Sequence, residues 1–489
     1  MNLLEQLGKY SAACAFHFSL GELFTWENRQ SMTPEGAVYR QAMMHYFGDR
    51  AHEARTGEHA RELLSRLEQD PPSDAVYQAM LRDLKRNLFL VNVPAALMAE
   101  RQNIIARATE AWEKANLVND AGIWLPHVQR IMDNSRSIAG YAAPNTHPFE
   151  FWLNQYEFDL SLVELDTLFS SLRKELLALL HSHPDRGLKH PVPGSFWGMR
   201  RLLLFCQELA GAAGYDGRIG HWGETRLPFS SIISPGDIRI AINFSSPYQA
   251  FSGTLHEVGH AMYAAGADPA FHANGLWAPL IGGYDEAMAI LWERMIGQDH
   301  RFWKYFFPRF QASFGEFAQL SLPDFLAGFQ NVKPGLLRAG SDEITYPLHI
   351  LIRYELEKKL LEGSLAPRDL PEAWAECYAR DLQLRPGEDV SGCLQDVHWS
   401  LGLVGYFPSY LIGSIMAAQL YQAMHVPDVL EPMADGDFQP VRAWLQEHCY
   451  QQGRLYTPGQ ILTRATGKQL DQGAYLAYLR ARYLEEKVQ

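Results

Sequence analysis

Residues His256-Glu257-Val258-Gly259-His260 place two imidazoles four positions apart with a carboxylate directly after the first. On a helix, residues four apart share a face about 6 Å from each other. Two ring nitrogens so placed can hold one Zn²⁺, and H-E-x-x-H is the spacing that does this. Glu257 then lies beside the metal without being forced into its coordination shell. There it can take a proton from a water acidified by the metal. A third ligand is expected at Glu286, within Tyr284-Asp285-Glu286-Ala287-Met288-Ala289-Ile290-Leu291-Trp292-Glu293, which reads as a second helix. The 25 residues from 261 to 285 leave room for one loop containing Pro269, Gly275 and Pro279 before the chain returns. Asp285 is the alternative ligand, displaced about 100° around the same helix. Two histidines and a carboxylate suit Zn²⁺, although Co²⁺ or Mn²⁺ could occupy the same set.

The metal pair needs a helix, and Phe251 to Ala265 has the small and apolar flanks of a buried one. Helical periodicity recurs over Arg40–Leu67, Ala75–Ala115 with a break at Pro94, Leu160–His181, Leu348–Leu361 and Tyr410–Met424. Strand patterning is confined to Asp237–Phe244, where Ile238, Ile240, Ile242 and Phe244 alternate with Arg239, Ala241 and Asn243. This strand directly precedes the metal helix and is expected to be an edge with which an extended peptide could pair. No Pro-, Gly- or Ser-rich linker divides the chain. The pattern predicts one large, mainly α domain over residues 1–489 with a small β-sheet, folded as two lobes around a groove.

The 489 residues are 47% hydrophobic and 12% aromatic, ample for a large core. A net charge of −13 gives no electrostatic footprint for nucleic acid or anionic lipid, and no apolar run is long enough to span a membrane. The start Met-Asn-Leu-Leu-Glu is not a secretory signal. Five scattered cysteines without a C-x-x-C pair read as free thiols in a reducing compartment, the cytoplasm.

The segment Gly392-Cys393-Leu394-Gln395-Asp396-Val397-His398-Trp399 has the pattern G-x-x-Q-D-x-H-W and runs on into Gly405-Tyr406-Phe407-Pro408-Ser409-Tyr410. Together with Trp26-Glu27, Met32-Thr33-Pro34, Tyr346-Pro347-Leu348-His349-Ile350 and Ile352-Arg353-Tyr354-Glu355-Leu356-Glu357, it resembles the carboxypeptidase Taq family of zinc carboxypeptidases over nearly the whole chain. The resemblance implies a mostly helical, zincin-type peptidase fold with a long active-site groove. It also implies a homodimer and removal of single residues from peptide C-termini. It points to His398 and Tyr410 as donors to the oxyanion, with Tyr406 as the alternative tyrosine. Arg338 corresponds to the arginine that receives the substrate carboxylate. Arg353 is the second choice, competing with a role as a helix-surface arginine paired to Glu357.

Several motif positions depart from the family pattern. Leu227-Pro228-Phe229 stands for H-P-F, Asp237-Ile238-Arg239-Ile240-Ala241 for D-x-R-x-T, Asp285-Glu286-Ala287-Met288 for H-E-S-Q, and Leu337-Arg338-Ala339-Gly340-Ser341-Asp342 for I-R-x-x-A-D. Polar neighbours have become apolar, which predicts altered support around the metal. An oligopeptidase or dipeptidyl carboxypeptidase would use the same ligands, and a degenerate relative would keep the metal and bind peptide without turnover. Retention of Glu257 argues against the last. An aminopeptidase is disfavoured, because no G-x-M-E-N type segment precedes the metal helix.

Overall fold

The computed structural model describes residues 2–33, 35–158, 160–183, 198–426 and 428–484. Pro34 of the Met32-Thr33-Pro34 motif lies outside them. Helices dominate, and the described strands form one three-stranded sheet. The chain divides into two compact units. The first comprises Met1–Phe89, His190–Phe329 and Met416–Leu470, and the second Leu90–Lys189, Gln330–Ile415 and Asp471–Gln489.

In the first unit, Asn2 and Glu5 form a reciprocal capping box that starts the helix Leu3–Gln30. The single stretch expected over Arg40–Leu67 is instead two helices, Ala37–Thr56 and Glu58–Gln69. The break is Gly57, whose backbone is extended, and a Cβ there would lie 2.6 Å from the Glu53 carbonyl oxygen. Helical periodicity continues across the break, so the pattern alone does not reveal it.

The sheet consists of β1 (Trp222–Glu224), β2 (Phe229–Ser234) and β3 (Asp237–Ile242), in the order β1-β3-β2. Strand β3 runs parallel to β1, with Trp222 opposite Ile240, and antiparallel to β2, with Phe229 opposite Ala241. The expectation that the Asp237 strand is an edge is therefore wrong. Both its sides are occupied, and β2 is the edge antiparallel to it. Ile238, Ile240 and Ile242 are fully buried, and β3 packs against the helix Pro247–Ala265. Phe229 and Ala241 pack with Trp26. The helix Pro247–Ala265 begins four residues earlier than its apolar run suggested, because Ser246 caps it and Pro247 fits the first turn.

In the second unit, Pro94 caps the helix Ala95–Val118, the break expected from sequence. Leu165, Phe169, Leu172, Leu176 and Leu179 form the buried stripe of Leu162–Ser182. The helix Thr345–Glu362 buries every residue from Pro347 to Tyr354, so it is enclosed on all sides over two turns. Its start is tied to the helix Gly473–Tyr483, where Arg482 and Tyr483 reach Glu343 Oε2, each at 2.8 Å.

Candidate active site

His256 and His260 lie on one face of the helix Pro247–Ala265, with ring centroids 5.0 Å apart. One ligand atom from each, and one carboxylate oxygen of Glu286, all fall within 4.8 Å of one another. Gly259 is what allows Glu286 to reach them. A Cβ at this position would lie 2.5 Å from the Met288 carbonyl oxygen and 2.6 Å from the Ala289 Cα. The metal helix and the helix Gly283–Ile290 therefore touch backbone to backbone, as only glycine permits.

Each imidazole is oriented by a carboxylate. His256 Nδ1 is 2.9 Å from Glu293 Oε2, and His260 Nδ1 is 3.0 Å from Asp285 Oδ1. The second contact has ion-pair distance without good hydrogen-bond alignment. With Nδ1 so engaged, the other ring nitrogen is the one available to a metal. Asp285, the alternative ligand, thus orients a ligand instead. Glu293 sits in a π-helical turn, Leu291–Ile296, that continues the Glu286 helix.

The carboxylates set the protonation of the site. Burial opposes a proton on His260, but Asp285, Glu286 and Glu257 outweigh it and push it up to about 10. His256 is also raised, burial being overcome by Glu293. Glu257 is only 5% exposed, and burial raises it although both histidines pull the other way.

The other residues singled out from sequence form a cluster in the second unit around Asp396. Its Oδ1 receives Arg338 Nε at 2.9 Å, and its Oδ2 receives Arg353 Nε at 2.5 Å. Arg353 is fully buried, with a further bond to the His349 carbonyl at 3.0 Å and its guanidinium over Trp374. The surface pairing with Glu357 does not exist. Arg353 is thus engaged inside the fold with Asp396 and the His349 backbone. The Arg338 guanidinium lies 5.3 Å from the Tyr410 ring centroid. His398 Nε2 is 3.1 Å from the Tyr410 hydroxyl, and Tyr406 packs edge-on against Tyr410 at 5.1 Å. Burial pulls His398 down, Asp396 partly restores it, and the two arginines lower it again, to about 4.

The match to a known family is extensive. The family model described as Carboxypeptidase Taq (M32) metallopeptidase matches residues 7–483. The chain belongs to this family. It is 34% identical to thermostable carboxypeptidase 1 of Thermus thermophilus, covering 99% of this chain and 98% of that one. It is 30% identical to carboxypeptidase 1 of Bacillus subtilis, covering 99% and 97%. The M32 carboxypeptidase from Deinococcus radiodurans superposes with a TM-score of 0.92 at 30% identity, covering 99% of each chain. The resemblance seen in sequence is thus membership, and this M32 chain is a metal-dependent peptide hydrolase.

The donor chemistry fits the family's zinc. Two imidazoles and one carboxylate converge, and each imidazole has a carboxylate behind it. Among the described residues no other cluster of three such ligands is present. The altered motifs did not strip the site of polar support. Asp285 supplies it from the position where the family pattern has histidine, and Glu293 adds to it. In the Asp237-Ile238-Arg239 motif, Arg239 Nη2 pairs with Asp237 at 3.0 Å and its guanidinium lies over Trp26, which ties β3 to the first helix.

Sequence reasoning missed Glu293 and the hub role of Asp396. Glu293 had a signal, because seven residues from Glu286 is about two helical turns on one face. In sequence Asp396 is no more than one position of the G-x-x-Q-D-x-H-W motif. Its signal was one acid among three cations or near-cations in the motifs.

Proposed function

We propose that this carboxypeptidase releases single residues from free peptide C-termini, with Glu257 as general base and Arg338 as the receptor for the terminal carboxylate. His256, His260 and Glu286 are the proposed zinc ligands. When bound, zinc is a Lewis acid that polarises a carbonyl and lowers the pKa of water. Glu257 takes the proton from the attacking water and delivers it to the leaving amine. The Tyr410 hydroxyl, held by His398, donates to the oxygen that becomes negative, and Tyr406 packs the tyrosine in place.

The observation that carries this reading is the charge of the Asp396 cluster. Two guanidiniums share one carboxylate, and the nearby His398 is held neutral. The cluster therefore has about one buried positive charge in excess, which a substrate carboxylate would balance.

The substrate backbone is proposed to pair with β2. Ile238 and Ile240 donate toward the β1 side, so Arg239 and Ala241 bond to Ser231 and Phe229. The Ser230 peptide then faces outward, while the next outward donor, Ile232 N, is taken by Glu22 Oε2 at 3.3 Å. N-methylation of the substrate beside the cleaved bond should weaken binding.

The five cysteines are unpaired, and no described helix is long and apolar enough to cross a membrane. The proposed setting is the cytoplasm and the proposed assembly a homodimer, which light scattering would test.

The deciding experiment follows an N-blocked peptide by mass with zinc, with chelator, and with Glu257→Gln. Stepwise loss of one residue, abolished in both controls, supports the proposal. Loss of two residues per step reassigns it to the dipeptidyl class. Bound but uncleaved peptide with zinc, cobalt and manganese makes it a binding protein.

A further inference from the structure

Two buried ionisable side chains in the second unit have no ion-pair partner among the described residues, and both bond to the same short turn. Glu357 is fully buried, and its Oε1 accepts from the Gly405 backbone N–H. Its Oε2 has no hydrogen bond, and the Trp399 indole lies beside it. Arg101 is 7% exposed, donates to the Gly402 carbonyl at 2.8 Å and to Ser135 Oγ at 3.0 Å, and stacks over Trp152. Burying a guanidinium or a carboxyl without a counter-charge is costly, so such groups persist where their hydrogen bonds matter.

What they hold is the link between His398 and the two tyrosines. Gly402 and Gly405 both have positive φ, 74° and 81°. A Cβ on Gly405 would lie 2.6 Å from the Trp152 carbonyl carbon, and one on Gly402 would lie 2.7 Å from Ile105 Cδ1. The turn is therefore pressed against neighbouring structure at both ends. Upstream, the His398 carbonyl accepts from Leu401 and Leu403. Downstream, Ser409 Oγ donates to the buried Glu157 at 2.5 Å, anchoring the start of the helix Phe407–Ala423, to which Tyr410 belongs.

We propose that Glu357 and Arg101 are positioning residues that clamp the Gly402–Gly405 turn and so set the His398–Tyr410 hydrogen bond at its working geometry. The inference rests on the reading that Tyr410 acts in catalysis. Neither side chain touches substrate. Their effect should appear in kcat rather than KM, because misplacing a reacting group by a fraction of an ångström weakens transition-state contacts selectively.

The test is a double-mutant cycle with Tyr410→Phe, read as kcat and KM on one peptide with the zinc-loaded full chain. Glu357→Leu removes the acceptor and should lower kcat about 10-fold with KM within about twofold. Glu357→Gln keeps an oxygen acceptor and should restore kcat to within about twofold of wild type. Combined with Tyr410→Phe, Glu357→Leu should cost nothing further. If Glu357→Leu does not fold, Arg101→Lys, which keeps the charge but loses the fork, takes its place in the same cycle.

A folded Glu357→Leu with wild-type kcat would overturn the inference. So would an equal loss in the wild-type and Tyr410→Phe backgrounds, since that marks general support of the fold. Full activity of Tyr410→Phe alone would instead overturn the catalytic reading of Tyr410, a failure distinguishable from the first two.

Discussion

His260 sits among Asp285, Glu286 and Glu257 and is pushed up to about 10, whereas His398 sits beside Arg338 and Arg353 and is held down at about 4. His349, in the second cluster, is lower still, at about 3, through burial and the same two arginines. One residue type serves opposite purposes. In the first unit the surplus is of carboxylates, Glu257, Asp285, Glu286 and Glu293, which favours positive charge at the imidazoles. In the second the surplus is of guanidiniums, and the imidazole stays neutral so that it can bond to a hydroxyl and leave the positive charge for an anion. Each cluster's charge suits the ligand proposed for it, a metal in the first unit and a terminal carboxylate in the second.

The harshest way to break the comparison is Glu257→Gln. If the carboxylate cluster contains the base, kcat should fall about 10³-fold or more while metal content, measured by elemental analysis, stays unchanged. Next comes Tyr410→Phe, expected to lower kcat by about 10²-fold with little change in KM. Removing one surplus charge from each cluster sharpens the contrast. Asp285→Asn or Glu293→Gln should weaken zinc about 10–100-fold in competition with a chelator. Arg338→Ala should raise KM by about 10-fold or more for free-acid peptides and leave amidated ones unaffected. Equal effects on both substrates would remove Arg338 from carboxylate recognition.

The smallest effect is on stability. His398 and His349 bind protons less readily folded than unfolded, where the ordinary value is near 6.5. Between about pH 6.5 and 4 these two groups therefore bind more protons in the unfolded chain, and their contribution to stability is lost as pH falls through that window, against the opposite contribution of Glu357, which burial pushes up to about 8. Denaturant titrations of the wild type and His349→Gln isolate the term, the variant being expected to lose less stability between about pH 6.5 and 4. Identical slopes in the two proteins would mean that His349 titrates alike folded and unfolded.

How much of this was legible in sequence differs between the clusters for a physical reason. The metal site is local: H-E-x-x-H lies within a single helical turn, and its third ligand follows one loop later. The second cluster joins residues 338 and 353 to 396, 398 and 410 of the later motif stretch, and their mutual arrangement is not written in any one segment. Arg353 shows the limit most clearly. Its helix buries Pro347 to Tyr354 without a polar face, so periodicity had no solvent side against which to place the arginine. The position of β3 was hidden similarly. Its parallel partner β1 is three residues long, Trp222–Glu224, too short for alternation to register.

The backbone contact at Gly259 restricts which sequences this motif can take. The two middle positions of H-E-x-x-H are usually written as free, yet here they are not equivalent. Val258 is a buried side-chain position, whereas a Cβ at Gly259 would meet the Met288 and Ala289 backbone, which cannot yield without moving Glu286. A library randomised at both positions and selected for turnover should return several apolar residues at 258 and glycine alone at 259.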